Sequence, residues 1–332
     1  MLAYTDEVAD ATAPLFQKLS RQFQPDHWKT LAPYIYEINR LKREKNAVIL
    51  AHNYMTPDVF YGVGDITGDS LMLAQQAAKT DADIIVQCGV HFMAETAKVL
   101  CPNKKILSPD LMAGCSLSES ITAADVRALK EKYPGIPVVT YVNTSAEVKA
   151  ESDVCCTSSN ALKIVNALGA QGHKTVIMTP DKFLAQNVAA QTDVDVIIWE
   201  GTCMVHERFT PQDILDARRT YDDLVVLAHP ECPPEVMAEA DYAGSTAQMD
   251  TFIKDKQPKR AMLMTECSMS DNLAAANPGV ELIGTCQMCP HMKRITLPKV
   301  LKCLQDEAPE VLIDPEIIER AKVSVNRMLE LS

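Results

Sequence analysis

The chain has 332 residues, 47% of them hydrophobic and 23% charged, enough to bury the core of two or three domains. A formal net charge of −12 argues against nucleic acid or an anionic membrane surface as the main partner, since either calls for a basic face, but leaves anionic small molecules open. The opening MLAYTDEVADATAP carries acids where a secretory signal needs basic residues, and no run approaches the ~20 apolar residues of a membrane span, so a cytoplasmic protein is expected.

An N-terminal helical arm is predicted over residues 1–45, interrupted at Pro25 and Pro33. Beyond it, short runs rich in Val and Ile alternate with helical stretches. NAVILAH, ADIIVQC and KKILS read as buried parallel strands, then PVVTYV, KTVIM and DVIIWE, then DLVVLAH, RAMLM and VELIG. The stretches 71–79, 160–168 and 247–254 place apolar residues three and four apart, as amphipathic helices do. This alternation predicts three-layer α/β/α units over 46–132, 133–220 and 221–305. The remaining segment, 306–332, ends in a closing helix from Pro315 to Leu331. With no low-complexity linker between them, the units are expected to pack as one body.

The units repeat one another at three polar stations. First come His52-Asn53-Tyr54, Tyr141-Val142-Asn143 and His229-Pro230-Glu231, then Asp69-Ser70, Ser158-Ser159 and Ser245-Thr246, and last Cys115, Cys203 and Cys289. Tyr141 follows His52 by 89 positions and His229 follows Tyr141 by 88; Cys203 follows Cys115 by 88 and Cys289 follows Cys203 by 86. Self-similarity at a fixed period marks repeated structural units, and this period is long enough for a small α/β domain. Three such units can close into a ring whose corresponding loops face one axis.

Each station has a chemical reading. The first lies just after a strand, where α/β sheets place their ligands, and offers donors, acceptors and proton carriers. The second stands where a helix begins: Ser, Thr and Asp cap the helix, and its free N–H groups can hold a carboxylate or phosphate without Lys or Arg. The third supplies one thiol per repeat. In a reducing compartment eleven cysteines are not expected to be disulfides. Cys88, Cys101, Cys155, Cys156, Cys232, Cys267 and Cys303 read mostly as small buried hydrophobes. Thiolates select zinc or iron–sulfur clusters. Structural zinc wants four ligands, often as two close pairs, and the only CxxC here is Cys286 with Cys289. A cubane held by three separate thiolates leaves one iron open as a Lewis acid. An electron carrier, which needs a complete ligand set, fits less well; a zinc-stabilised or iron–sulfur binding protein for anionic metabolites is the alternative from another class.

These residues carry a family resemblance. AHNY, GDSL, HFMAETAK, GCSL, YVNTSAEVKA, TSSNA, PDKFL, GTCMVH, HPEC, GST and CxxCPHMK, in that order over roughly residues 46–330, resemble the quinolinate synthases, the A proteins of bacterial NAD biosynthesis. The resemblance implies three homologous α/β/α domains in a pseudo-threefold triangle around a central [4Fe-4S] cluster. It implies condensation of iminoaspartate with dihydroxyacetone phosphate to quinolinate, phosphate and two waters. The cluster ligands carried over are Cys115, Cys203 and Cys289. The substrate pocket carried over comprises His52, Ser70, Tyr141, Val142, Asn143, Ser158, His229, Pro230, Glu231, Ser245 and Thr246. Tyr54 and Glu231 are expected to move protons, His229 and Tyr141 to orient the carbonyl intermediate, and His206 to lie beside the cluster. L-aspartate oxidase and iron–sulfur assembly proteins are the expected transient partners, with no nucleic acid and no membrane. Some members have a further cysteine ahead of the CxxC; here Gly284 and Thr285 stand there, which makes a redox role for that run less plausible, although Cys286 and Cys289 can pair when the cluster is lost.

Overall fold

The computed structural model describes residues 2–285 and 287–332. The arm is two helices, Asp6–Lys18 and Pro25–Glu44. Pro25 opens the second helix, where its missing N–H is harmless. Pro33 does not interrupt it, contrary to the sequence expectation. The helix buries Trp28, Ala32, Ile35, Ile38 and Leu41 along one face, and that packing outweighs the one lost backbone hydrogen bond.

Three four-stranded parallel sheets follow. The first contains β1 (Ala47–His52), β2 (Ile66–Gly68), β3 (Ile84–Cys88) and β4 (Lys105–Leu107) in the order β2-β1-β3-β4. The second contains β5 (Val138–Tyr141), β6 (Val154–Cys156), β7 (Thr175–Thr179) and β8 (Asp195–Ile198) in the order β6-β5-β7-β8. The third contains β9 (Leu224–Ala228), β10 (Tyr242–Ala243), β11 (Arg260–Met264) and β12 (Glu281–Ile283) in the order β10-β9-β11-β12. One topology is therefore written three times.

Sequence patterning predicts three strands per unit; the structure adds the edge strands β2, β6 and β10, of two or three residues each. They lie between an aspartate and the polar second station, in DITGDS, DVCCTSS and DYAGST, so no apolar run declares them. They position the site nonetheless. Each pairs with the end of its unit's first strand, His52 against Gly68, Tyr141 against Cys156 and Ala228 against Ala243, so the second polar station emerges beside the first. A repeated carboxylate holds this arrangement: Asp65, Asp153 and Asp241 accept the backbone N–H of Ile49, Val138 and Val226 at 2.8, 2.8 and 2.7 Å.

The first two units share a core, while the third sheet packs separate apolar clusters on its two faces. One continuous apolar cluster runs from Trp28 and Ile38 of the arm through Ile49 and Ile85 to Val139 and Val154, and on to Val325 of the closing helix. That helix, Pro315–Leu331, lies against the second unit, where Ser324 Oγ donates to the Lys149 carbonyl at 2.7 Å. No helix among the described residues is long and apolar enough to cross a membrane.

Candidate active site

A cavity opens at the carboxyl ends of the first strands and draws its walls from all three sheets. His52 ends β1, Tyr141 ends β5 and His229 directly follows β9, so strand geometry alone aims these side chains inward. The first and third repeats then make the same turn. His52 Nδ1 accepts the N–H of Tyr54 at 3.2 Å, and His229 Nδ1 accepts that of Glu231 at 3.3 Å. With Nδ1 so used, each neutral ring carries its hydrogen on Nε2. Burial pushes the His52 pKa down to about 4 and that of His229 to about 3, so both rings are neutral near pH 7.

Glu231 is the electrostatic centre. Burial alone would raise its pKa, but the imidazoles of His206 and His229 and the hydrogen bonds from His206 and Tyr141 hold it well below the carboxylate range. The Tyr141 hydroxyl donates to Oε1 at 2.5 Å and His206 Nδ1 lies 2.8 Å from Oε2. The His206 ring stacks on that of His229 at 4.6 Å. Its other nitrogen, Nε2, is 2.9 Å from Thr265 Oγ1, which is 2.5 Å from the Tyr54 hydroxyl. Burial and the Glu231 charge raise both tyrosines well above the usual phenol value, so both are protonated at neutral pH.

Cys115, Cys203 and Cys289 line the same cavity, half-buried and free. Their loops are built alike: the carbonyl of each accepts the N–H four residues on, Glu119 at 3.0, Glu207 at 3.0 and Lys293 at 3.2 Å. Cys289 thus stands in a loop built like those of Cys115 and Cys203; Cys286 lies outside the described residues. Burial pushes the Cys115 thiol up to about 12 and raises Cys203 and Cys289 as well, so metal binding here must release protons. Cys203, His206 and Glu231 also bring donor atoms within 4.8 Å of one another, a set able to hold a metal ion. Of the seven other cysteines expected to be small buried hydrophobes, six are buried and Cys267 is half-buried.

The second stations differ among themselves. Ser70 and Thr246 are the first residues of the helices Ser70–Ala77 and Thr246–Lys256, capped by Asp69 and Ser245, and both line the cavity. Ser158 also lines it but starts no helix. Its helix, Ala161–Ala170, begins after Asn160, whose Oδ1 accepts the Thr157 N–H at 2.6 Å. Asn143 reaches the wall with its Oδ1 buried and unpartnered. Val142, Pro230 and Ser245 do not reach it. The Val142 N–H is spent on Cys156, the Pro230 carbonyl on Asn187, and Ser245 is a buried cap 3.5 Å from Asp69.

Sequence reading missed Phe92, Met93, Glu266 and His291 of the wall, and Thr265 behind it. Glu266 follows β11 where Asp181 follows β7, but Val90 stands there after β3, and Thr265 corresponds to Gly89 and Pro180, so comparison of the repeats offered no chemistry common to all three.

Residues 36–330 match the family model described as Quinolinate synthetase A protein. The chain belongs to the quinolinate synthase family. It is 58% identical to a quinolinate synthase of Caulobacter vibrioides over 329 residues, covering 99% of this chain and 90% of that one. To the quinolinate synthase of Sinorhizobium fredii it is 55% identical over 330 residues, 99% and 91% of the two chains. With that of Xylella fastidiosa it shares 58% over 297 residues, 90% and 87%. Membership of this family makes the chain an enzyme of NAD biosynthesis acting on small molecules.

Proposed function

We propose that the chain condenses iminoaspartate with dihydroxyacetone phosphate to quinolinate, phosphate and two waters, in the cavity described above, with a [4Fe-4S] cluster held by Cys115, Cys203 and Cys289. The observation that carries this reading is the meeting of three equivalently built cysteine loops with the Tyr54, Tyr141, His229 and Glu231 group on one cavity. Three free thiols, one from each repeat, fit a cubane's demand for thiolate ligands and leave one iron free. The cluster, when bound, supplies a Lewis acid. The units 46–132, 133–220 and 221–305 are then three domains around a pseudo-threefold axis, carrying the arm 1–45 and the closing segment 306–332.

The chain's own groups take the remaining roles. Ionised Glu231 and protonated Tyr54 move protons during imine isomerisation and dehydration. His229 and Tyr141 orient the carbonyl group, the imidazole through its Nε2–H. His52, Asn143, Ser70, Ser158 and Thr246 hold carboxylates and phosphate, two of them from helix starts that favour anions. Val142, Pro230 and Ser245 support the pocket through backbone and capping contacts. L-aspartate oxidase as the source of iminoaspartate, iron–sulfur assembly proteins and a cytoplasmic location complete the reading.

The Cys203, His206 and Glu231 donor set favours a second reading, a zinc-stabilised binding protein for anionic metabolites. Anaerobic assay separates the two. Quinolinate appearing from freshly generated iminoaspartate and dihydroxyacetone phosphate, with loss of activity in air, supports the synthase; a colourless, zinc-loaded and inactive protein supports the binding role.

A further inference from the structure

We propose that Thr265 is a positioning residue of this reaction, whose hydroxyl fixes the direction of the Tyr54 hydroxyl and ties it to the Glu231 network. The inference rests on the roles proposed above for Tyr54 and Glu231. Thr265 is fully buried, directly after β11, and belongs to none of the three repeated stations. Its Oγ1 lies 2.5 Å from the Tyr54 hydroxyl and 2.9 Å from His206 Nε2, while His206 Nδ1 lies 2.8 Å from Glu231 Oε2. Through His206 it joins Tyr54, from the first repeat, to the carboxylate of the third.

The hydrogen directions follow from chemistry. A carboxylate only accepts, so His206 Nδ1 carries a hydrogen toward Glu231. At its other nitrogen, Nε2, the ring meets the Thr265 hydroxyl, which stands between it and the Tyr54 hydroxyl and can accept from one while donating to the other. The Tyr54 hydroxyl is thereby held in one orientation, at the end of a chain of side chains that leads to Glu231. At the other end of the residue, the Tyr54 carbonyl accepts from Lys293 Nζ at 2.9 Å, and Lys293 is paired with buried Glu266 at 2.6 Å. The third sheet thus grips Tyr54 at both backbone and hydroxyl. Without the Thr265 hydroxyl, the phenol loses its hydrogen-bond partner and is free to rotate out of that orientation.

A double-mutant cycle tests this on the anaerobically prepared holoenzyme. Thr265→Val should lower kcat on the order of 10- to 100-fold, the range for a buried hydrogen-bond partner lost, with KM and quinolinate affinity changed by less than about threefold. Thr265→Ser, which keeps the hydroxyl, should restore most of the rate. In a Tyr54→Phe background the Val substitution should cost less than about twofold, because the group it positions is gone. An equal cost in both backgrounds, or a Val variant as active as the parent beside an impaired Tyr54→Phe, overturns the inference while leaving the proposed role of Tyr54 in place. A fully active Tyr54→Phe enzyme overturns that role itself and this inference with it. If the Val variant does not fold, Thr265→Ala carries the same cycle.

Discussion

Replacing Glu231 by Gln removes a charge and leaves the shape. The carboxylate is 4% exposed and accepts from Tyr141 at 2.5 Å and from His206 at 2.8 Å. An amide offers one accepting oxygen and turns an NH₂ toward the other partner, so one of these two hydrogen bonds must be lost or reversed. Each bond to a buried charge contributes about 1.5 to 3 kcal/mol, but the desolvation of that charge is relieved at the same time, so the net change in stability is small. The proton chemistry has no such compensation. Turnover should fall on the order of 10² to 10⁴, the span of general acid–base catalysis, while quinolinate affinity and the cluster spectrum stay close to the parent's. Anaerobic quinolinate formation, read beside the visible spectrum of the same sample, measures both. Near-normal turnover with the spectrum intact would refute the assignment and move the proton transfers to Tyr54 or His229.

Other outcomes follow from the same geometry. Ser70→Ala and Thr246→Ala should each weaken quinolinate binding by about 1 to 3 kcal/mol in calorimetry; Asp69 and Ser245, not these residues, cap the helices, so Ser70→Ala should cost little thermal stability, whereas Thr246→Ala also removes the acceptor of the buried Asn53 amide and should cost about 1 to 3 kcal/mol; a sharp fall in melting temperature at unchanged affinity in Ser70→Ala would make that residue structural. His52 and His229 are pushed below the usual imidazole value of about 6.5, to about 4 and about 3, so the unfolded chain binds the extra protons. Their contribution to stability is complete above about pH 6.5 and declines as pH falls toward the folded values; the melting temperature should therefore drop between pH 7 and 4, with a shallower fall in His229→Asn, and a flat profile contradicts the neutral rings. Asp153→Ala removes the acceptor for the Val138 N–H beside β6 and should cost about 1 kcal/mol in denaturant unfolding, read as a lower midpoint at constant slope.

What could be read in the sequence was chemistry that recurs. The cysteines, the residues after the first strands and the Ser or Thr near the second stations stand at matching intervals, and such recurrence is visible without coordinates. The helix Pro315–Leu331 was legible from its own pattern and opening proline. Features whose partners are remote were not. The strands β2, β6 and β10 run at once into the polar second stations, so no apolar run marks them, and nothing in Pro33 reports the packing that keeps its helix continuous. Asp65, Asp153 and Asp241 recur at the repeat interval, yet their role depends on a backbone N–H fifteen or sixteen residues earlier, which charge alone does not disclose. Thr265 and Glu266 break the repeat. Thr265 works across a unit boundary, toward Tyr54, and Glu266 works within its own unit but on residues more than twenty positions on, Lys293 and the Cys289 N–H.

The central claim, that one cysteine from each repeat holds the metal group, is tested most directly by iron and sulfide content in cysteine variants prepared without oxygen. The parent should be brown, with iron and sulfide in equal amounts. Cys115→Ala, Cys203→Ala and Cys289→Ala should each lose both, since two thiolates do not retain the cluster, whereas Cys286→Ala should stay brown and largely active. A Cys289→Ala protein that keeps its iron and sulfide while Cys286→Ala loses them would contradict the account, and so would a parent that carries zinc and no sulfide.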